Sequence, residues 1–240
     1  MNEKSRPHKV RQGPSSFGVT GLEMEARRAG RMSTIEVLKS ERLPLAVVQI
    51  PENACETAER SLTEAMSTNP PDAPSACQTG CAWCCYKTVG TAAPEVFRIV
   101  DYLQRNLSPE ALQAALDRVI LLDEERRSAG RRPRPCPLLE NNQCIAYPVR
   151  PLTCRGYNSS DAKKCELSLD PRNKVAVPAY WPQQRLFTLV LDGVRSGLSE
   201  SGLPGELLEL TRALRIAMTV PEAHAQWLGG KDVFAGAKLN

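Results

Sequence analysis

The stretch Cys77-Gln-Thr-Gly-Cys81-Ala-Trp-Cys84-Cys85 places four cysteines within nine residues. A second, more widely spaced series follows it and consists of Cys136, Cys144, Cys154 and Cys165. These two groups contain all but one of the chain's 9 cysteines. Clustered thiols of this kind indicate either a bound metal or a set of disulfides, and the redox state of the compartment decides between them.

Length and targeting signals favour the metal. At 240 residues the chain can bury a core without the disulfides on which secreted domains below roughly 80 residues depend. The basic start, residues 1–9, is not followed by the apolar run of a secretory signal, so we expect a cytoplasmic location. The longest apolar stretch outside helical patterns, residues 45–48, is far shorter than the roughly 20 residues that cross a bilayer. In a reducing cytoplasm, grouped cysteines are more often metal ligands or catalytic groups than disulfides.

Composition gives little indication of other partners. The net charge is +4 and aromatic residues make up 5% of the chain, without the basic, aromatic-rich face typical of nucleic-acid binding. The 2 histidines, His8 and His224, lie far from the cysteines in sequence. We therefore expect a metal ion as the partner, with ligands that are mainly thiolates, no membrane span, and no assignment of a protein partner.

Hydrophobic periodicity predicts a mainly α protein. Apolar residues recur at helical spacing in five segments, at about residues 52–66, 94–103, 108–130, 181–194 and 205–218. Residues 45–50 are expected to form a strand or an anchor that Pro51 stops. Asp123 and Arg127 are expected to pair on the solvated side of their helix. No βαβ alternation or internal repeat is visible, and about residues 136–177 show an irregular, proline-rich pattern.

These patterns predict three parts of the chain. Residues 1–44 are expected to be a mobile tail, with a short helix from about Leu22 to Met32 as the one regular segment. Residues 45–222 are expected to form the domain, with an irregular middle organised by metal. Residues 223–240 are expected to be a C-terminal tail that frays.

The cysteine spacing itself suggests ligands. Cys81-Ala-Trp-Cys84 has the two-residue spacing whose turn directs both thiols to one point. Neighbouring cysteines such as Cys84 and Cys85 tend to point apart, so one of them could serve a second metal, bridge two metals or stay free. Cys55 lies in a predicted helix before a proline-rich connector and is expected to be outside the site.

The segment Cys77-x3-Cys81-x2-Cys84 also resembles the cluster triplet of radical S-adenosylmethionine enzymes, including an aromatic residue, Trp83, before the third cysteine. In those enzymes three cysteines hold a [4Fe–4S] cluster. That resemblance would imply a β/α barrel, and the helical pattern of this chain argues against one.

A second resemblance covers more of the chain, about residues 77–165. Cys84-Cys85, Cys136-Pro137-Leu138, Cys144, Arg150-Pro151 and Cys154-Arg155 are similar to the pattern of the YkgJ-like cysteine-cluster family, described as zinc- or iron-chelating domains. Tyr147, Glu95 and Cys165 fit the same pattern. The family's shorthand has two residues between its first two cysteines, whereas three separate Cys77 from Cys81.

The resemblance implies metal ligands among the eight grouped cysteines, Cys77, Cys81, Cys84, Cys85, Cys136, Cys144, Cys154 and Cys165. It implies zinc, iron or a [4Fe–4S] cluster as cofactor, and four cysteines suit each of these. Arg150 and Arg155 flank Cys154 and are expected to support the negatively charged centre as neighbours of the ligands. Glu95 is expected either to donate an oxygen ligand or to complement a helix dipole.

The function expected from the sequence is therefore metal chelation, with no catalytic residue identifiable. One alternative is an iron–sulfur enzyme related to flagellin lysine methylase, which has a similar cysteine cluster and would catalyse methyl transfer. Another is a metal-stabilised interaction module that uses the helix faces.

Overall fold

The computed structural model describes residues 20–40, 44–128 and 133–239. Within these ranges the helices are α1 Gly21–Ser40, α2 Pro44–Thr68, α3 Ala93–Asn106, α4 Pro109–Ser128, α5 Leu152–Gly156, α6 Ala162–Leu167, α7 Trp181–Glu200, α8 Leu210–Thr219 and α9 Ala223–Leu228. Short 3₁₀ turns lie at Trp83–Tyr86, Tyr147–Val149, Pro171–Asn173 and Ala235–Ala237. The mainly helical fold predicted from the sequence is confirmed.

The strands of the described ranges are two residues long. β1 Gly90–Thr91 pairs antiparallel with β4 Leu208–Glu209, and β2 Leu139–Glu140 pairs antiparallel with β3 Gln143–Cys144. The second pair is a tight hairpin whose turn residues, Asn141 and Asn142, both have positive φ angles. A set of parallel strands for a β/α barrel is not present in these ranges.

Helix α3 lies at the centre of the core. Its apolar stripe, Val96, Ile99 and Leu103, is fully buried, as the periodicity predicts. It contacts α2 on one side and α4 and α8 on the other. Helix α7 adds Leu186, Val190 and Val194 to the same core.

Helix α1 corrects the prediction of a mobile tail over Gly21–Ser40. It packs along α7 in the most extensive helix contact of the described structure. Two glycines of α7 permit this approach, because a Cβ at Gly193 would overlap the carbonyl oxygen of Arg27 and one at Gly197 would lie 2.7 Å from that of Arg31. Residues 1–19 and 41–43 of the predicted tail lie outside the described residues.

The C-terminal segment corrects the second predicted tail. Trp227 on α9 and Phe234 after it are fully buried, and their rings pack 5.6 Å and 5.5 Å from the ring of Phe97 on α3. Lys238 forms a β-bridge with Leu208. Trp227 and Phe234 thus complete the core, although they are too widely spaced in the sequence to show a helical pattern.

Two local predictions also change. Residues 45–50 belong to α2, which continues through Pro51 to Thr68, instead of forming a strand or an anchor. The fifth predicted helix begins at Leu210 rather than near Gly205, because β4 occupies the intervening residues.

The predicted pair of Asp123 and Arg127 forms, at 2.7 Å, but Asp123 is not on a solvated face. Its side chain is 2% exposed and also accepts from Arg212 at 3.1 Å and Arg215 at 3.0 Å, both on α8. Three guanidinium groups around one buried carboxylate connect α4 to α8.

No helix in the described part of the chain is long and apolar enough to cross a membrane.

Candidate metal centre

The grouped cysteines lie on irregular segments between the core helices. Cys77 and Cys81 lie in the loop after α2, and Cys84 and Cys85 lie in the 3₁₀ turn Trp83–Tyr86. In the second series, Cys136 precedes the β2–β3 hairpin and Cys144 is on β3. Cys154 is on α5 and Cys165 is on α6.

Backbone contacts bring these segments together. The backbone N–H of Cys136 donates to the carbonyl of Cys85 at 2.7 Å, which joins the second series to the 3₁₀ turn. The hairpin then returns Cys144 opposite Leu139. Helix α6, with Cys165, contacts the same 3₁₀ turn from the other side.

Glu95 fixes the position of α5, the helix that contains Cys154. Its side chain is fully buried; Oε1 accepts from the N–H of Leu152 at 2.7 Å, and Oε2 accepts from Thr91 Oγ1 at 2.8 Å and from the N–H of Ala92 at 2.9 Å. Burial raises the pKa of Glu95, and these three donors oppose that rise. Both carboxylate oxygens are thus engaged in joining α3 to α5.

Four cysteines form what we call the inner set, Cys85, Cys136, Cys144 and Cys154. Three of them, Cys136, Cys144 and Cys154, pack directly against core side chains. Burial raises the pKa of Cys136 to about 12, and it is also the main cause of the raised pKa of Cys144 and Cys154. Cys136 and Cys144 are close enough to Cys154 to raise its pKa further.

Three cysteines, two from the loop after α2 and one from α6, form the outer set, Cys77, Cys81 and Cys165. Cys77 is exposed, and its thiol donates to the carbonyl of Ser159 at 3.9 Å. Burial raises the pKa of Cys81, and the neighbouring Cys77, Cys84 and Cys165 raise it further. Cys81 therefore has Cys77, Cys84 and Cys165 as its neighbouring cysteines.

Cys84 lies between the two sets. It acts electrostatically on Cys81 of the outer set and on Cys144 and Cys154 of the inner set. A hydrogen bond from the Cys85 thiol lowers the pKa of Cys84 to about 6 and raises that of Cys85. The two adjacent side chains thus converge instead of pointing apart, and the shared hydrogen bond favours the thiolate at Cys84.

Three of the sulfurs accept a backbone hydrogen bond from the residue two positions later. The donors are Trp83 for Cys81, Leu138 for Cys136 and Ala146 for Cys144. Each of these bonds favours the thiolate and partly opposes the effect of burial on its pKa. Turns with N–H groups directed at sulfur support negative charge at these positions.

Arginines approach the cysteines from two sides. The Arg150 guanidinium stacks on the ring of Tyr147 at 3.9 Å and is close enough to lower the pKa of Cys84 and Cys144, although burial outweighs it at Cys144. Among the described residues, its buried Nε has no hydrogen-bond partner. Arg126 acts in the same way on Cys136, and its buried Nε likewise finds no partner in the described ranges.

Arg155 makes different contacts from Arg150. It donates to the carbonyls of Pro148 at 2.7 Å and Arg150 at 3.3 Å, and it pairs with Glu59 at 3.3 Å. These bonds hold the loop between β3 and α5 in place. Arg155 therefore supports the shape of the site through the backbone.

The other candidate ligands lie apart from both sets. Cys55 is buried in α2, where burial raises its pKa to about 11, and the charged groups acting on it are Arg155, Glu95, Arg98 and Glu59. His224 stacks on Phe97 at 4.1 Å. His8 is outside the described residues.

Within the described ranges, no three His, Cys, Asp or Glu side chains already form a group that could hold a metal ion. The chemistry of the donors nevertheless fits zinc or iron, because all eight grouped cysteines are free thiols on converging segments. The unpartnered N–H groups of Arg126 and Arg150 also fit a centre with negatively charged sulfurs.

The family comparison agrees with this chemistry. Residues 76–173 match the family model CxxCxxCC, whose description is "Putative zinc- or iron-chelating domain". The match covers about two fifths of the chain and includes all eight grouped cysteines. The resemblance to a cysteine-cluster family is confirmed over this segment. No curated protein and no solved structure gives a significant match to the chain.

Sequence reasoning missed several residues of this region. Glu95 was expected to be a ligand or a helix-dipole partner, whereas its donors come from Thr91, Ala92 and Leu152. Arg126 gave no signal, because it precedes Cys136 by ten residues and reaches it only after the chain turns back. Each N–H that donates to a sulfur lies two residues after its cysteine, within one local turn. These bonds could therefore have been predicted from the sequence.

Proposed function

We propose that this protein is a cytoplasmic chelator of zinc or iron that binds metal through its eight grouped cysteines. The observation that supports it most is that the fold joins distant cysteine-bearing segments, since the N–H of Cys136 donates to the carbonyl of Cys85 at 2.7 Å and the hairpin returns Cys144 opposite Leu139. Thiols of this kind are the donors that zinc, iron and iron–sulfur clusters share. The match of residues 76–173 to a zinc- or iron-chelating domain supports the same assignment.

Charge balance around the sulfurs supports a loaded centre. A divalent ion with four thiolates has a net charge of about −2, which needs compensation in a partly buried place. The Arg150 guanidinium lies beside Cys84 and Cys144, and Arg126 lies beside Cys136. In this proposal their free Nε–H groups donate to sulfur, while Arg155 keeps the loop of residues 147–155 closed.

Metal binding is coupled to protonation and to folding. When bound, the metal holds the sulfurs together and stabilises the irregular middle of the chain. The protein's contribution is to supply the sulfurs, and those with raised pKa values, such as Cys136 and Cys154, lose their protons on binding. Because protons compete with the metal, the apparent affinity rises with pH until these thiols are ionised.

The test is a set of single cysteine-to-serine variants analysed for metal content after anaerobic purification. We expect Cys84→Ser, Cys136→Ser and Cys154→Ser to lose zinc or iron relative to wild type, and Cys81→Ser to do the same. Cys55→Ser is the control, since it lies outside both sets and should keep the wild-type content. If these variants all retain wild-type metal content, the assignment of the ligands is wrong.

An iron–sulfur enzyme is the second candidate, and the position of the outer set favours it. The triplet Cys77-x3-Cys81-x2-Cys84 begins at the exposed Cys77, where an iron with an open coordination position could meet a substrate. Protein purified without oxygen would then show the broad visible absorption of sulfur-bound iron, together with inorganic sulfide. Colourless protein containing only zinc would exclude this candidate.

A further inference from the structure

We infer that the outer set, completed by Cys84, forms a second metal site separate from the inner set, and that metal enters and leaves the protein through this outer site. The inference rests on the proposed function, since it assumes that the grouped cysteines bind metal. It adds a division of labour, in which the inner set retains its metal and the outer set exchanges it.

The number of the grouped cysteines fits two complete ligand sets. Tetrahedral zinc takes four thiolates, and the inner set already has four members, Cys85, Cys136, Cys144 and Cys154. Cys77, Cys81 and Cys165 then need one more ligand. Cys84 is the remaining grouped cysteine, and it is one of the neighbours that act on Cys81.

Local backbone geometry brings the outer cysteines to one place. The turn between Cys77 and Cys81 closes through a hydrogen bond from the Cys81 N–H to the Gln78 carbonyl at 3.0 Å, with Gly80 at a φ of 85°. A side chain at Gly80 would be strained at that φ angle. Helix α6, which contains Cys165, contacts the 3₁₀ turn Trp83–Tyr86.

A second contact holds the loop of Cys77 to the segment before α6. The N–H of Ala76 donates to the Ser159 carbonyl at 2.8 Å, and the thiol of Cys77 donates to the same carbonyl. This contact joins chain segments about eighty residues apart at the position where the outer set gathers. The outer site is therefore formed by the tertiary fold as well as by the local spacing of its cysteines.

The outer set contains Cys77, the exposed one of the eight grouped cysteines. Cys136, Cys144 and Cys154 pack against the hydrophobic core, whereas Cys77 is exposed. Exchange of a thiolate-bound metal begins with attack by a competing ligand, and that ligand must reach the metal. Access of this kind governs thiol reactivity in general, so we expect the outer site to release metal faster than the inner site.

The probe is zinc bound to the full-length protein under reducing, oxygen-free conditions. Zinc content is measured by elemental analysis, and release to an excess of a chromogenic chelator is followed with time. We expect about two zinc ions per chain in wild type, since each set supplies four thiolates. Release should have two phases, with the faster one at least about tenfold faster because of its solvent access.

Variants assign the two phases. Cys77→Ser and Cys165→Ser should each remove the fast phase and leave about one zinc ion per chain with the wild-type slow phase. Cys144→Ser should remove the slow phase, and Cys154→Ser serves as a second inner variant if Cys144→Ser does not fold. Cys55→Ser should keep both phases and the wild-type zinc content.

The outcomes separate this inference from the function on which it rests. One zinc ion per chain, with Cys77→Ser and Cys165→Ser unchanged from wild type, would overturn the second site and leave chelation by the inner set intact. Loss of both phases together in Cys77→Ser would show a single shared centre and also overturn it. Wild-type protein that binds no zinc and no iron would instead overturn the proposed function itself.

Discussion

Replacement of Glu95 by glutamine tests how the fold positions the cysteines. Glu95 lies on α3, and its carboxylate accepts hydrogen bonds from Leu152, Thr91 and Ala92 at 2.7–2.9 Å. The Glu95→Gln variant keeps the size and one acceptor oxygen, but its NH₂ group cannot accept. Either the Leu152 N–H or the donors of Thr91 and Ala92 must then lose their partner.

The size of the effect follows from these contacts. A hydrogen bond to a charged group contributes about 1.5–3 kcal/mol, and a buried donor left without a partner costs about 1–3 kcal/mol. We therefore expect Glu95→Gln to lower the free energy of unfolding by about 2–4 kcal/mol. Because Leu152 begins the helix that contains Cys154, we also expect weaker metal binding in this variant.

The assay is urea denaturation followed by circular dichroism, with a chelator present so that bound metal does not mask the change. Glu56→Gln is the matched control, because Glu56 is an exposed residue on α2. Competition with a chelator then compares the zinc affinity of the two variants. If Glu95→Gln unfolds at the same urea concentration as Glu56→Gln, the carboxylate does not hold α5 in the way described.

Three further predictions test other contacts of the structure. Gly193→Ala would force α1 and α7 apart at the carbonyl of Arg27, so we expect it to lower the free energy of unfolding by about 1–3 kcal/mol, measured by thermal or urea unfolding. Gly21→Ala is the control and should be close to neutral, because there is open space around Gly21. Asp123→Asn would leave three arginines without their shared carboxylate. Removing one partner of a buried ion pair typically costs about 3–5 kcal/mol, so we expect a loss of stability of that size. Unchanged unfolding would mean that the arginines are solvated independently. Arg150→Ala should weaken zinc binding by about 10–100-fold without changing the number of ions at saturation, measured by chelator competition; wild-type affinity would show that its guanidinium does not support the sulfurs.

Local sequence patterns predicted the helices that bury a regular stripe. The apolar residues of α3 and α7 recur at helical spacing and do face the core. The grouping of the cysteines likewise indicated a thiolate site and the family that residues 76–173 match. In each case the information lies within a short segment of chain.

Features that depend on distant residues were not predictable in this way. Helix α1 is mostly polar, and it docks because Gly193 and Gly197 on a helix far along the chain leave room for its backbone. Asp123 is buried because Arg212 and Arg215 arrive from α8. The different contacts of Arg150 and Arg155 depend on how the loop before α5 folds, which their spacing around Cys154 does not reveal.

The most direct test of metal chelation is the zinc and iron content of the full-length protein, purified without oxygen and without added metal. We expect at least about one zinc or iron ion per chain in wild type, because each set supplies the four thiolates of one ion. The double variant Cys84→Ser/Cys154→Ser should contain much less metal, with its helical circular dichroism largely retained. Wild-type protein that is folded, contains neither metal, and does not take up zinc or iron when they are supplied would contradict metal chelation by these cysteines.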